Sequence, residues 1–454
     1  MPHSSVQLFR DKGWDESRSH LRVFLSGTNI PHPTLCDKTA KDGAPDPPPL
    51  AQSEKIEVVK KLAILGSTGS IGTSTLSICE SFPDRYLPIA LAAGRNVDVA
   101  FAQCVRWRPQ VISIATEELA ADLQQRLAAA GVTGIEIVYG TEGTVQVATL
   151  PEVDFVVSAI VGVAGMDATY AAIKAGKTIG LANKECLVAA GELIIAAAKE
   201  HNVALLPIDS EHNAVHQCMR GGEAREVRQI WLTASGGPFR NTPLADFEHI
   251  TPAQALKHPT WVMGQRITID SATMMNKGFE VIEACRLFSL PPAQVRTTIH
   301  PQSTVHSMVE FIDGSILAQI SVTDMRLPIL YALAYPERVD SVAAPELQFD
   351  LTSLSHLDFS VPNLDRFPCL RLAYEAAETG GEACIALNAA DEIAVAAFLE
   401  GHIPFLGIPR TIEKVLQQTS GRRPSSIKEV LEADLAARAC ARDVIATHYS
   451  GVLR

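Results

Sequence analysis

From Lys60 onward, short apolar blocks alternate with amphipathic stretches, and short loops separate them. Residues 61–65 (KLAIL) form a buried-strand pattern that runs into Gly66-Ser-Thr-Gly-Ser-Ile-Gly72, after which 73–82 carries a helical period. Strand-like 86–94, a helix to about Trp107, strand-like 111–115, a helix over 117–131 and strand-like 135–140 follow. Strand 154–162, helix 166–176, strand 178–183, a long helix from Lys184 to Glu200 and strand 203–209 complete the series. Apolar runs that alternate with helical segments predict right-handed crossovers and a parallel sheet. Further on, residues 266–270 (RITID) alternate like a strand, and a helix is expected from Asn276. Residues 299–321 suggest a hairpin about Asp313-Gly314. After loop-like 341–368, four helical periods (369–380, 384–401, 411–419 and 426–449) suggest a C-terminal helical bundle.

The first 58 residues lack this rhythm. They hold 7 of the 27 prolines, and eight acids stand against seven Lys/Arg. That acid content argues against an organelle transit peptide, and the polar start argues against a secretory signal. The expected class is α/β, in five segments. A disordered or linker-like extension (1–58) precedes a Rossmann-like nucleotide domain (59–208) and an α+β catalytic domain with its own sheet (209–345). A linker (346–364) and a C-terminal α-helical domain (365–454) follow. At 454 residues the chain is long enough for several cores.

Composition narrows the partners. Lys+Arg 39 against Asp+Glu 51 gives a net charge of −12, which disfavours nucleic acid and anionic membrane surfaces as partners. No apolar run approaches the roughly 18 residues of a spanning helix. Nine cysteines, an odd number with no CxxC pair, point to a reducing cytoplasm.

Candidate chemistry begins at the glycine turn. Strand, glycine turn and helix in that order suit a pyrophosphate, because glycines admit close approach and the helix start offers free N–H groups. The spacing GxxGxxG departs from GxGxxG, and alone it also fits a plain structural turn. The second strand ends Ala92-Ala93-Gly94-Arg95-Asn96 without the carboxylate that would hold a ribose 2′-hydroxyl. Arg95 suits a 2′-phosphate, which favours NADPH, although a solvated loop arginine fits as well. In Asp209-Ser210-Glu211, the two carboxylates share one face if the chain is extended. Paired acids at a strand's C-terminal end suit Mg²⁺ or Mn²⁺, or else a solvated turn beside a helix cap. His212 reads as a further ligand or, because it points to the opposite face of an extended chain, as a packing or capping residue. Glu280 falls one helical turn beyond Asn276 and is the candidate third ligand. Ser235, Ser271, Asn276 and Lys277 make a set suited to a phosphate monoester. Trp261, in a Pro/Gly-bounded loop, reads as a lid or as ordinary packing. Asp391 and Glu392 are expected on a solvated or interdomain face.

The segments GSTGSIG, AIVGVAGM, LANKE, DSEHN, SGGPFR, HPTW, DSATMMNKG, IHPQS and ALNAADE occur in order over some 390 residues. Together they resemble the signature blocks of the 1-deoxy-D-xylulose 5-phosphate reductoisomerase family. The resemblance implies NADPH and one divalent cation, Mg²⁺ or Mn²⁺, used to isomerise and reduce that keto-sugar phosphate to 2-C-methyl-D-erythritol 4-phosphate in isoprenoid precursor synthesis. It implies Asp209, Glu211 and Glu280 as metal ligands and Lys184 beside substrate and nicotinamide. It implies substrate contacts from Ser210, Glu211, Ser235, His258, Ser271, Asn276, Lys277 and Glu280, with Trp261 as the lid. Thr68, Gly69, Ser70, Ile71, Gly94, Arg95, Asn96, Asn183, Glu185 and Gly264 are implied on the cofactor, and a cytoplasmic homodimer is implied overall. Two positions depart from the family pattern: Arg95 where lysine is frequent, and Cys186 where serine is common. The second puts a thiol near the site, and an inert buried one is expected.

Overall fold

The computed structural model describes residues 21–24, 59–258 and 264–449, with the backbone alone described for 21–24. Within the segment expected to be a tail, β1 (Leu21–Phe24) is a strand; the rest of 1–58 lies outside the described residues.

The nucleotide domain alternates as its pattern requires. β2 (Lys60–Leu65), α1 (Ser70–Ser81), β3 (Tyr86–Ala92), α2 (Val97–Trp107), β4 (Val111–Ile114), α3 (Glu117–Ala129) and β5 (Glu136–Tyr139) form its first half. α4 (Gly140–Thr149), β6 (Phe155–Ser158), α5 (Met166–Lys174), β7 (Thr178–Leu181), α6 (Lys184–Glu200) and β8 (Leu205–Pro207) form the second. The seven strands are all parallel, in the order β5-β4-β3-β2-β6-β7-β8. Chain direction across the sheet reverses beside β2, which opens a ligand crevice at the strands' C-terminal edge. Helix α4 was not expected from the sequence; its Gly-Thr-rich start hides a period that buries Val147 and Ala148.

The second domain is built on α7 (Ser210–Met219), β9 (Val227–Ala234), α8 (Pro252–Ala255), α9 (Gln265–Thr273) and α10 (Met275–Leu287). β10 (Val295–Ile299), β11 (Val305–Phe311) and β12 (Ile316–Ile320) complete a sheet ordered β10-β9-β11-β12. The β11–β12 hairpin turns at Asp313-Gly314, where Gly314 has φ +90. Two expectations need correction. Residues 266–270 are helical, not strand-like: five alternating residues are too few to fix a period, and Thr268, Ile269, Ala272 and Thr273 bury one helical face. Asp209 and Glu211 do not lie on an extended strand either, because α7 begins at Ser210.

α11 (Arg326–Ala334) follows, and then β13 (His356–Phe359), which pairs antiparallel with β1 within the stretch expected to be a loop. α12 (Pro368–Thr379), α13 (Glu382–Leu399), α14 (Gly407–Leu416) and α15 (Ile427–Tyr449) form the helical domain. Its core includes Ile269, Met275, Phe279 and Ile282 from α9 and α10, whereas Val281 and Ala284 of α10 face the four-stranded sheet's core. Helix α10 is therefore a wedge buried on both sides, which fixes the side chains it carries. Ile329, Leu330, Leu333 and Leu347 pack into the core of the nucleotide domain, although the sequence boundary assigns them to the catalytic or linker segments.

Candidate active site

The glycine turn joins β2 to α1. Gly66 donates its N–H to the Ala92 carbonyl at 2.8 Å, Gly69 donates to the Gly66 carbonyl at 3.0 Å, and α1 starts one residue later. A Cβ on Gly72 would lie 2.4 Å from the Gly66 carbonyl oxygen and 2.5 Å from Ser67 Cα, so only glycine lets the helix close on the turn. Gln103 of α2 donates to the Ser67 carbonyl at 2.8 Å and braces the turn from behind. Thr68, Gly69, Ser70 and Ile71 thus line the turn and the start of α1, where a helix's first N–H groups face outward. Gly94, Arg95 and Asn96 are exposed past the end of β3, and the Asn96 side chain caps α2 by accepting from Val99 N–H at 3.1 Å.

Asn183 sits at the turn after β7. Its Oδ1 accepts from Cys186 N–H at 3.2 Å, and its Nδ2 donates to the carbonyls of Gly162, at 2.9 Å, and Ile160. This cap starts α6 at Lys184, whose ammonium reaches Asp209 and Asn276. Cys186 is fully buried, and burial pushes its thiol well above the ordinary range, so it is chemically quiet. Glu185 faces Arg266 at 3.2 Å.

Asp209 leaves the edge of β8 as the N-cap of α7, and its Oδ1 accepts from Glu211 N–H at 3.4 Å. The helix turn, not strand alternation, converges the two acids. Glu280 reaches them from α10. One oxygen from each of Asp209, Glu211 and Glu280 falls within 4.8 Å of the others. Two ammonium groups knit the cluster. Lys184 Nζ lies 2.6 Å from Asp209 Oδ2, donates to Asn276 Oδ1 at 2.8 Å and lies 3.4 Å from Glu280 Oε1. Lys277 Nζ donates to Glu211 Oε1 at 2.8 Å and also to Glu280 Oε2. Ser210 Oγ donates to Glu211 Oε2 at 2.5 Å.

Three carboxylates against two ammonium groups leave one negative charge, and Glu280 shows the strain. Burial, with Glu211 and Asp209 beside it, pushes its carboxyl up to about 7 against the pull of Lys277 and Lys184. Burial also opposes ionisation of Asp209, but Lys184 outweighs it and holds Asp209 well below the ordinary range. An all-oxygen donor set with unbalanced negative charge fits a hard divalent cation.

Sequence reasoning missed Glu283. It is fully buried one helical turn beyond Glu280, and its Oε2 lies 3.4 Å from Nδ1 of the equally buried His212. His212 Nε2 meets the Glu280 carbonyl at 2.8 Å, and its ring stacks on Phe288 at 6.3 Å. Burial opposes a charge on this ring, yet Glu283 and Asp209 push it up to about 9. The i, i+3 spacing of two glutamates on α10 was the available signal.

The phosphate candidates divide. Asn276 and Lys277 belong to the carboxylate cluster. Ser235 Oγ lies 3.2 Å from His258 Nε2 and accepts from Gly237 N–H at 3.2 Å. Gly237, at φ +64, abuts the Ser271 carbonyl, where a Cβ would lie 2.7 Å away, so the Ser235 turn and Ser271 share a wall. Gly264 caps α9 through its carbonyl, which accepts from Thr268 Oγ1 at 2.8 Å. Trp261 lies outside the described residues. His300 is satisfied by the Asp358 carbonyl and by Thr304 and Val305 N–H, as a structural strand-end histidine would be. His306 is buried but its Nε2 has no hydrogen-bond partner among the described residues.

A doubly wound parallel sheet with a glycine turn at its crevice, backed by a carboxylate–lysine cluster on a second sheet domain, defines an NADP-dependent oxidoreductase with an added cation site. Comparison with known proteins narrows this class. Residues 62–191 match the model for 1-deoxy-D-xylulose 5-phosphate reductoisomerase, and 205–288 and 320–440 match two models of its C-terminal domains. The reductoisomerase of Methylococcus capsulatus is 52% identical over 392 residues, 85% of this chain and 99% of that protein. That of Solibacter usitatus is 49% identical over 398 residues, 87% and 100%. The Zymomonas mobilis reductoisomerase structure in complex with NADPH superposes with a TM-score of 0.80 at 46% identity, covering 86% of this chain and 99% of that one. A reductoisomerase structure in complex with NADPH, fosmidomycin and magnesium has a TM-score of 0.79 at 44% identity, covering 85% and 98%. The chain belongs to the 1-deoxy-D-xylulose 5-phosphate reductoisomerase family.

Proposed function

We propose that the protein catalyses the NADPH- and divalent-metal-dependent isomerisation and reduction of 1-deoxy-D-xylulose 5-phosphate to 2-C-methyl-D-erythritol 4-phosphate, in the non-mevalonate route to isoprenoid precursors. The observation that carries this is the meeting of Asp209, Glu211 and Glu280 with Lys184 and Lys277 on a family scaffold. The three carboxylates would hold Mg²⁺ or Mn²⁺, which when bound supplies Lewis acidity to the oxygens of a hydroxy-ketone. Lys184, Ser210 and Asn276 orient the sugar. Ser235, His258, Ser271 and Lys277 take its phosphate end, whose binding energy serves the chemistry at the other end. Thr68, Gly69, Ser70 and Ile71 hold the cofactor diphosphate, and Gly94, Arg95 and Asn96 its adenosine side. Asn183 and Gly264 complete the nicotinamide surroundings through the backbone they fix.

The assay follows NADPH absorbance with the sugar phosphate, with and without Mg²⁺ or Mn²⁺; no oxidation by folded protein would sink the assignment. Asp209→Ala should lose metal-dependent turnover while keeping cofactor binding, and unchanged turnover would remove Asp209 from the ligand set.

The homodimer is supported by β12, an edge strand that exposes Ile316 and Leu317 beside exposed Ile312. A reducing cytoplasm is supported by the eight described cysteines, all free. No helix among the described residues is long and apolar enough to cross a membrane.

A further inference from the structure

Outside the carboxylate–lysine cluster, the densest ionic assembly in the described residues surrounds Arg266, on the first turn of α9. Its guanidinium touches three parts of the molecule at once. Nη1 lies 3.2 Å from Glu185 Oε1 on α6 and 3.3 Å from Glu392 Oε2 on α13. Nη2 donates to Asn388 Oδ1 at 2.9 Å and lies 3.4 Å from Asp391 Oδ2, both on α13. Nε lies 3.7 Å from Asp270 Oδ2 on α9 itself. Arg438 of α15 extends the assembly, meeting Glu392 at 2.8 Å and Asp434 at 2.6 Å. The Phe279 ring of α10 covers the guanidinium at 5.9 Å.

The sequence neighbours of these contacts give the assembly its meaning. Glu185 adjoins Lys184 at the start of α6, and Asp270 adjoins Ser271 near the end of α9, so one side chain touches the sequence neighbours of two proposed substrate groups. Both are tied to a helix of the C-terminal domain. Five carboxylates here face two guanidiniums. Asp270 and Asp391 each keep a buried oxygen with no donor among the described residues, and burial raises both carboxyls above the ordinary range, with the Asp391 charge adding to the rise at Asp270. Such an assembly is a poor source of stability, because apolar residues of the same volume would cost less to bury. What it provides is directional geometry: a planar fork carried by α9, whose Nη1 bridges α6 and α13 and whose Nη2 holds α13.

We propose that Arg266 is a positioning residue, the joint by which the C-terminal helical domain sets Lys184 and Ser271 at the right separation for the sugar phosphate. The proposal rests on the assignment of those two residues to substrate. It predicts that charge at this point is not enough and that the fork is required.

The test uses the full-length protein and its Arg266→Lys variant, which keeps the charge and loses the fork. Thermal midpoint, NADPH affinity by fluorescence titration, and KM and kcat for the sugar phosphate are measured with Mg²⁺ present. Wild-type turnover is the control, and its absence would overturn the functional assignment and this proposal with it. With wild type active, the expected result is a rise in sugar-phosphate KM of about five-fold or more with a fall in kcat, and a NADPH affinity within two-fold of wild type. Unchanged KM and kcat would overturn the proposal. So would a lower midpoint with activity lost only in proportion to the unfolded fraction, which is what a purely structural arginine gives. If Arg266→Lys does not fold, Glu392→Gln decides. It removes one outer contact at a half-buried position and should raise KM two- to three-fold; an unchanged KM there overturns the proposal equally.

Discussion

Replacing Lys184 by methionine isolates what its ammonium group does. The side-chain stem and volume are nearly kept, and the charge bridging Asp209, Asn276 and Glu280 is removed. The cluster then holds three carboxylates against Lys277 alone, and its formal charge moves from −1 to −2. Breaking one partner of a buried ion pair typically costs about 3–5 kcal/mol, because the remaining charge stays desolvated. Lys184 is 11% exposed at its side chain and Lys277 still reaches Glu280, so about 3 kcal/mol is the appropriate end. In EDTA, that loss lowers the thermal midpoint by roughly 3–4 °C, taking about 1.2 °C per kcal/mol for a folded chain of this size. A divalent cation supplies the missing positive charge and in the variant has no ammonium to displace from Asp209. Saturating Mg²⁺ should therefore raise the variant's midpoint more than the wild type's and close most of the gap, while turnover stays low. Scanning calorimetry of both proteins with EDTA and with Mg²⁺ checks this. A variant as stable as wild type in EDTA, or equal Mg²⁺ shifts in the two, would refute the view that lysine and cation share one electrostatic task.

Other outcomes follow from single features. Gly72→Ala forces a methyl to within 2.6 Å of three backbone atoms of the turn. About 1–3 kcal/mol of overpacking should weaken NADPH by roughly ten-fold or more in a fluorescence titration, and unchanged affinity would mean the turn does not hold the cofactor. Arg95→Ala should weaken NADPH by about ten-fold and leave NADH nearly untouched; equal effects on both would remove Arg95 from the 2′-phosphate. Burial lifts Asp391 from 3.8 to about 6 despite Arg266. Because the folded value is the higher one, this contribution to stability is present at low pH and is lost as pH rises to about 6. The loss is on the order of 3 kcal/mol as an upper bound. Asp391→Asn should thus gain stability relative to wild type between pH 4 and 6 in urea titrations, and a constant difference across that range would contradict the assignment.

Much of the nucleotide domain was legible because its inner strands are buried on both faces and most of the helices between them have clear periods. Leu62–Leu65 and Phe155–Ser158 read as strands for that reason, and Lys184–Glu200 is a helix over the span its pattern implied. The catalytic residues were legible as chemistry but not as geometry. Asp209 and Glu211 converge because Asp209 caps a helix, and local alternation carries no record of that. Ile267–Asp270 is too short to betray its helix. Glu283 and Arg266 escaped notice because their roles depend on partners distant in sequence, His212 for one and Glu185, Asn388, Asp391 and Glu392 for the other. Asp391 and Glu392 allowed a solvated or an interdomain face, and the buried pairing with α9 selects the latter.

The packing of Ile329, Leu330, Leu333 and Leu347 against the first sheet bears on how the chain is made. Synthesis runs from the N-terminus, so the seven-stranded sheet leaves the ribosome long before the segment that seals its core. Ile385 and Val430, which join the core on the sheet's other side, arrive later still. Until then an apolar face of the nascent nucleotide domain is open to water and to other chains. Contacts so distant in sequence slow the final closure. Truncation before Leu347 should therefore yield an aggregating fragment, not a small cofactor-binding protein, and the point of commitment to the native state lies near the end of translation.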